Sequence, residues 1–581
     1  MSVDGGTYLD TKNQLVADIL YQIADLLDIK GEMFFKTRAY RIAAQTIEVL
    51  DEDIETVVKE DRLRSIPGIG DALAKKVKEI VETGKLEYFK KLKKEVPESL
   101  LEMLEIPSLG PKKISALYVN LGIKNIEELK KACNEGKLRD LEGFGEITER
   151  NILRGILLKE KTSGRVFLNV AYEDGEAYHN YLKECKKIER LSIAGSLRRR
   201  KETIGDLDIL ASSDYSDEVM EYFVKYDDVQ RVLLQGSTKT SVLLNDNLQV
   251  DLRVVKDESF GAALQYFTGS KEHNVKMRAI AIKKGLKLNE YGLFKKDTEK
   301  YVAGKNEQEI YKKLGLQYIE PELRENRGEI EVAAKGKIPK IVQYNDINGD
   351  FHVHSLWSDG SDSIETIAEH AQKIGYKFIG IADHSQSLHV ARGLSERQVI
   401  KKIKEVERIN KKISDIKVLC GTECDIKPDG SLDYSNKILK QFDFVYIGIH
   451  SNFKQSSEEI NKRIIKGMEN EQAHFLAHPT CRIIGRREPF NININKLVEV
   501  AKETNTFLEI NAFPDRLDLN DIHAKLAKDG GAKIVIGTDA HSVNNLSFMH
   551  YGTATARRGW LEKKDILNTY SLKEIEKMLG R

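Results

Sequence analysis

Two aspartates one residue apart, Asp206 and Asp208, and a third, Asp251, are the residue types that hold divalent cations for phosphoryl chemistry. The first two fall in GDLDILAS, which reads as a strand, so alternation turns both to one face and Leu207 to the core. In LQVDLRVV the same alternation puts Gln249, Asp251 and Arg253 on one face, which brings a third carboxylate to a second strand. Adjacent carboxylates repel one another unless cations lie between them. Three can hold two Mg²⁺ or Mn²⁺ ions about 4 Å apart, one activating an attacking 3′ hydroxyl and the other bridging phosphates. That is nucleotidyl transfer. Gly195 and Ser196, with Gly205 ahead of Asp206, form small turns whose amides and hydroxyl can approach triphosphate oxygens, and Arg199 can neutralise their charge.

A second set of ligand-type residues follows short apolar runs toward the carboxyl end: His352, His354, Asp359, His384, Glu423, His450, His478, Asp539 and His541. In a strand the two residues of His352-x-His354 point the same way, as do those of Asp539-x-His541, which suits binding of transition metals by imidazole and carboxylate. The elements that must position them are strands alternating with helical segments about seven times, at FHVH, FIGIADH, KVLCGTE, FVYIGIH, FLAHP, FLEINA and KIVIGTDAH. This alternation predicts a parallel βα barrel, with the ligands converging at the carboxyl ends of its strands.

Upstream, residues 12–160 carry apolar side chains at spacings of three and four, so a set of small helices is expected. A glycine-bearing turn recurs as Pro67-Gly68-Ile69-Gly70, Pro107-Ser108-Leu109-Gly110 and Glu142-Gly143-Phe144-Gly145, each followed by a helix-forming segment. These are helix-hairpin-helix repeats. Such turns present backbone amides at a helix amino terminus, so Gly68, Gly70, Gly110, Gly143 and Gly145 are expected at DNA phosphates. Residues 61–100 hold ten basic and seven acidic side chains, a modest local excess for a backbone-binding surface. Between 165 and 340 short β-rich runs mix with helices in an α+β pattern, and the periodicity fades from Glu329 to Asn348, where AAKGKIPK reads as a linker.

GS-x-RR followed by GDxD is similar to the palm signature of the polymerase beta superfamily of nucleotidyltransferases. The string Tyr266-Phe267-Thr268-Gly269-Ser270, with His273-Asn274 and Met277-Arg278 after it, resembles family X DNA polymerases in particular. The resemblance implies that Tyr266, Phe267 and Gly269 lie beside the sugar of the incoming nucleotide and exclude ribose. It also implies that Asn274 and Arg278 contact the minor-groove side of the nascent pair and the template. In the family's amino-terminal domain a lysine can remove a 5′ deoxyribose phosphate through a Schiff base, and Lys76 holds that position, with Lys36 and Tyr40 also matching. Phe35 and Ala72 depart from the vertebrate pattern, which has histidine and lysine there.

The second half resembles the PHP family through DFHVHSLWSDG, IADHS, GTE, GIHS, AHP and GTDAHS, with a ligand-capable residue at all nine family positions. That resemblance implies about three Zn²⁺ or Mn²⁺ ions, phosphoester hydrolysis, and in polymerases of this architecture a Mn²⁺-stimulated 3′→5′ exonuclease, sometimes with cleavage at abasic sites. Arg392, Arg482 and Arg486 are candidates for holding DNA phosphates, and His389 stands where relatives carry arginine or lysine. The expected division is a helical amino-terminal domain at 1–90, a helical DNA-binding domain at 91–160, a palm at 161–262, a nucleotide-selecting thumb at 263–330, a linker at 331–348 and a PHP barrel at 349–581.

With 92 basic and 91 acidic side chains the chain is not a polycation that binds nucleic acid by bulk charge, so its DNA site must be local. Five scattered cysteines without a CxxC pair exclude a disulfide framework and fit a reducing cytoplasm near the nucleoid. No export signal or membrane span is expected. The predicted protein is a monomeric, template-dependent polymerase that fills gaps in base excision repair from deoxynucleoside triphosphates, acting on gapped or primer-template DNA and carrying its own exonuclease. Two rivals make different predictions. A template-independent nucleotidyltransferase would ignore template sequence, and a purely structural barrel would leave DNA intact.

Overall fold

A computed structural model describes residues 12–580 except 33, 49, 51–52, 98, 107–108, 140, 142 and 163. Of the repeated turns, Pro107, Ser108 and Glu142 therefore lie outside the described residues. The chain separates into two compact units, Met1–Ser163 with Gly485–Arg487 and Gly164–Ile484 with Glu488–Arg581.

In the first unit the helix Lys12–Ile29 buries Val16, Leu20, Ile23 and Leu27, spaced by four, three and four, and the helix Pro111–Leu121 packs against it. Buried side chains from Val16 to Ile156 form one interior, so the stretches 1–90 and 91–160, expected as two domains, share a core. Ile106, Leu109, Ile114 and Leu117 supply the apolar face that joins this interior. The described residues of the three hairpin turns share one contact. The apolar residue before the last glycine of each turn, Ile69, Leu109 or Phe144, is buried, and its amide bonds the carbonyl three residues back at 3.1 Å. Each turn opens a helix, Asp71–Thr83, Pro111–Leu121 and Gly145–Thr162, and nothing stands within 4 Å of where a Cβ would lie on Gly70, Gly110, Gly143 or Gly145.

The second unit opens on a five-stranded sheet in the order Arg190–Ile193, Asp206–Ser212, Gln249–Val255, Lys239–Leu244, Val229–Gln235. Only the pair Asp206–Ser212 and Gln249–Val255 is parallel. On one face Leu207, Ile209, Val250 and Leu252 pack with Tyr178, Leu182 and Phe223 of the helices Leu168–Lys183 and Ser216–Phe223. Alternation gives the other face Asp206, Asp208 and Leu210, and Leu210 packs under Phe260, Ala263 and Leu264 of the helix Phe260–Thr268. That helix ends beside the aspartates. A second helix, Lys271–Lys283, and a three-stranded sheet follow.

The stretch 331–348, expected as a linker, is packed instead. Ile341 and Val342 are buried, Val342 N–H bonds Leu561 O at 2.9 Å, and Ile341 bridges Glu562. The single bridge at Ile341 and the buried Val342 beside it are too short a run to show a period.

Seven parallel strands in chain order make the barrel: Gly349–Val353, Phe378–Ile381, Lys417–Asp425, Phe444–Gly448, Phe475–Leu476, Phe507–Asn511 and Ile534–Gly537. Ladder bonds His354 N–H to Ala540 O (2.8 Å) and Ala540 N–H to His352 O (3.2 Å) bring its two ends together. Phe351, Phe378, Phe444, Tyr446, Phe475 and Phe507 fill the interior nearer the strands' amino ends. Gly380 and Gly421 make room, since a Cβ there would stand 2.7 and 2.2 Å from the Phe444 ring. Period two then decides what comes next inside. Leu419-x-Gly421-x-Glu423 and Phe507-x-Glu509-x-Asn511 end in polar groups at the carboxyl mouth, while a register shift between Asp350 and Val353 re-aims the first strand. Among the described residues no helix is long and apolar enough to cross a membrane.

Candidate active sites

Asp208 and Asp251 are direct partners in the parallel ladder, and oxygens of Asp206, Asp208 and Asp251 lie within 4.8 Å of one another. The expected convergence is therefore present in the geometry. Burial raises the Asp208 pKa to about 7, helped by the charges of Asp206 and Asp251. Asp251 moves the other way. Burial opposes its ionisation, but Lys239 Nζ at 2.5 Å and Gln249 Nε2 at 2.9 Å outweigh that and lower its pKa. Gly195, with φ of +60°, lies directly against Asp208.

Around the carboxylates, Ser196 is half-buried, and a Cβ on Gly205 would stand 2.9 Å from Arg165 Nη1. Arg199, expected at triphosphate oxygens, is engaged within the protein: Nε donates to Glu325 Oε1 (3.0 Å) and Nη1 to Thr268 O (2.5 Å). Arg198 pairs with Glu307 at 2.7 Å. The Tyr266 and Phe267 rings meet edge to face at 5.1 Å, and Arg253 lies over Phe267 at 4.4 Å. Gly269 is at φ +71° in the turn after them. Asn274 is buried, its amide donating to Tyr266 O (2.7 Å) and its oxygen accepting from Gln265 (2.7 Å), so it holds the turn from beneath. Arg278 is exposed on the next helix. In the first unit the Lys76 ammonium lies 4.7 Å from the Tyr88 ring and 5.8 Å from that of Tyr40, and burial together with Lys36 lowers its pKa.

At the barrel mouth Glu423 is the hub. Its Oε1 meets His450 and His478 at 2.9 Å each, and its Oε2 meets His384 at 3.2 Å, His352 at 3.3 Å and His354 at 3.6 Å. Asp539 approaches His354 at 3.3 Å, and Asp359 approaches His541 at 3.3 Å and His384 at 3.6 Å. All nine predicted residues thus come together. Burial depresses His384 to about 3 and His478 to about 4, whereas Glu423 and Asp425 overcome burial and lift His450 to about 9. His352 Nε2, both ring nitrogens of His354 and His384 Nδ1 are buried without a hydrogen-bond partner. Orphaned imidazole nitrogens facing carboxylates at the barrel mouth are the donor set a divalent metal cluster requires.

Family models match along the chain: a helix-hairpin-helix domain at residues 11–86, a SAM-like helix-hairpin-helix tandem at 100–156, a DNA polymerase beta thumb at 263–325 and a PHP domain at 350–513. The chain is 39% identical over 565 residues to a Bacillus subtilis (strain 168) protein named "DNA polymerase/3'-5' exonuclease PolX", covering 97% of this chain and 98% of the relative. The chain belongs to the PolX family, family X DNA polymerases with a PHP domain. The chain is also similar, over 231 residues that cover 38% of it and 89% of the relative, to a Thermoanaerobacter sp. (strain X514) protein named "Probable phosphatase Teth514_1060", at 29% identity.

Several residues of this PolX chain escaped the sequence reading. Glu509 Oε1 contacts His352 Nδ1 at 2.6 Å and its Oε2 accepts from His478 N–H at 2.7 Å. Asp425 accepts from His450 N–H at 3.0 Å, and Arg516 lies 3.5 Å from Asp539. Alternation in FLEINA could have found Glu509, since it shares the inner face with Phe507. Arg482, read as a phosphate holder, is buried and donates to Arg516 O (2.7 Å), Leu517 O (2.6 Å) and Glu202 (2.7 Å), so it ties the PHP barrel to the palm.

Proposed function

We propose that this chain is a template-dependent DNA polymerase that fills short gaps during repair, and that its barrel is a 3′→5′ exonuclease working on the same DNA. Family membership supports a DNA polymerase that binds DNA and deoxynucleoside triphosphates and depends on divalent metal. The observation that carries the polymerase reading is the facing pair Asp208 and Asp251 with Asp206 beside them.

Asp206, Asp208 and Asp251 would hold two Mg²⁺ or Mn²⁺ ions, and the nine barrel residues a cluster of Zn²⁺ or Mn²⁺. Bound cations at either place supply Lewis acidity and neutralise phosphate charge. The residues do the rest. Lys239 and Gln249 keep Asp251 ionised and aimed at Asp208. Asn274 fixes the end of the helix carrying Tyr266 and Phe267, whose edge-to-face pair would form the wall against which a sugar is sorted. In the barrel, Glu509 and Asp425 orient His352 and His450 from behind, which sets the tautomer each ring presents to the mouth. The hairpin turns of the first unit leave open amide faces for the DNA backbone.

Primer extension on a gapped duplex tests the reading: wild type should add the templated nucleotide and Asp208→Ala should not. Undiminished extension by Asp208→Ala, or addition independent of template sequence, removes it. For the barrel, a labelled primer should be shortened by wild type and spared by His354→Ala.

A further inference from the structure

The carboxyl end of the barrel helix Met549–Arg558 reaches the nucleotide side of the palm. Arg558 is 5% exposed, and its Nη1 donates to Arg199 O (2.6 Å) and to Glu325 Oε1 (3.0 Å). The same Glu325 oxygen accepts from Arg199 Nε at 3.0 Å, so a barrel guanidinium and a palm guanidinium share one acceptor. Arg558 is anchored at its other edge, where Nη2 donates to Asp521 Oδ2 (2.7 Å), which also accepts from Arg327 (2.9 Å). Arg199 continues the chain to Thr268 O in the turn after Tyr266 and Phe267, and Ser270 N–H of that turn bonds Arg324 O (3.0 Å). Three hydrogen bonds in series, through Glu325 and Arg199, therefore run from the barrel helix to Thr268 at the start of the nucleotide-selecting turn.

We propose that Arg558 is a positioning residue for nucleotide addition, dividing the negative charge of Glu325 so that Arg199 can leave it for the incoming triphosphate. This rests on the reading above that Arg199 meets that triphosphate. A buried carboxylate shared by two guanidinium groups binds each less tightly than one alone would be bound. Without Arg558, Glu325 keeps Arg199, with Lys201 at 3.9 Å as its other cation, and the triphosphate has to compete against a stronger ion pair. The barrel ligands are not part of this chain of contacts, so metal chemistry at the mouth is untouched.

The test is single-nucleotide gap filling by the full chain. Arg558→Met should raise the KM for the templated nucleotide by about tenfold while kcat stays within about twofold, the pattern of lost binding rather than lost chemistry. Degradation of a labelled single strand by the same preparation should be unchanged. Adding Glu325→Gln should return KM to within about threefold of wild type, a suppression that a merely structural Arg558 would not show. If Arg558→Met does not melt as wild type does, Arg558→Lys carries the test, with a smaller rise in KM that Glu325→Gln again erases. Parallel loss of both activities, a fall in kcat alone, or a KM defect that Glu325→Gln leaves in place overturns the proposal. Wild-type inactivity in this assay would instead sink the polymerase reading itself.

Discussion

A methyl group on Gly195 would stand 2.1 Å from Oδ2 of Asp208, closer than non-bonded atoms approach, and its backbone sits at φ +60°. Gly195→Ala should therefore displace the Asp208 carboxylate as well as strain the turn. Loss of primer extension by about 100-fold is expected from a displacement on the order of 1 Å. Exonuclease activity of the same variant should stay at the wild-type level, and side-by-side gap-filling and degradation assays check both halves of the statement.

Asp208 gives a pH signature. Its folded-state pKa is raised from 3.8 to about 7, so in metal-free protein the stability tied to its proton is complete below the ordinary carboxylate pKa and is lost as pH rises toward 7. Asp208→Asn lacks that loss. Melting curves in EDTA should show the variant gaining on wild type between about pH 4 and about pH 7, and a gap that narrows over this interval would contradict the assignment.

Glu509 stands 2.6 Å behind His352, at 0% exposure. Glu509→Gln keeps the shape and removes the charge that orients the imidazole. Exonuclease activity or metal content should fall by about 10- to 100-fold, the usual cost of losing a partner behind a ligand, while gap filling is retained. Metal analysis alongside the two assays reads this.

Burial beside Tyr40 and Tyr88 and the charge of Lys36 lower the Lys76 amine pKa, the direction that favours a Schiff-base nucleophile. Borohydride should trap the chain on DNA bearing a 5′ deoxyribose phosphate near neutral pH, and Lys76→Ala should abolish the cross-link. Equal trapping by the variant would place the nucleophile elsewhere.

Local periodicity explains what the sequence discloses here. Asp206, Asp208 and Asp251 can be aligned on paper because a strand repeats every two residues, and the barrel ligands because each follows an apolar run. Glu509 obeys the same rule but looks like any acidic residue until its neighbours' rings are seen to fill the barrel. Arg199 is legible as a cation, whereas its partner Glu325 lies 126 residues downstream, and pairing over such a span leaves no local trace. The shared core of the two helical stretches was hidden for a similar reason, since an amphipathic helix shows that it needs a partner without showing which.

The bridge between Ile341 and Glu562 and the bond from Val342 to Leu561 pin the crossing from palm to barrel to the barrel's own far end. A crossing so fastened is expected to hold the palm against the barrel, and a primer end passed between the two proposed sites is then expected to do the travelling.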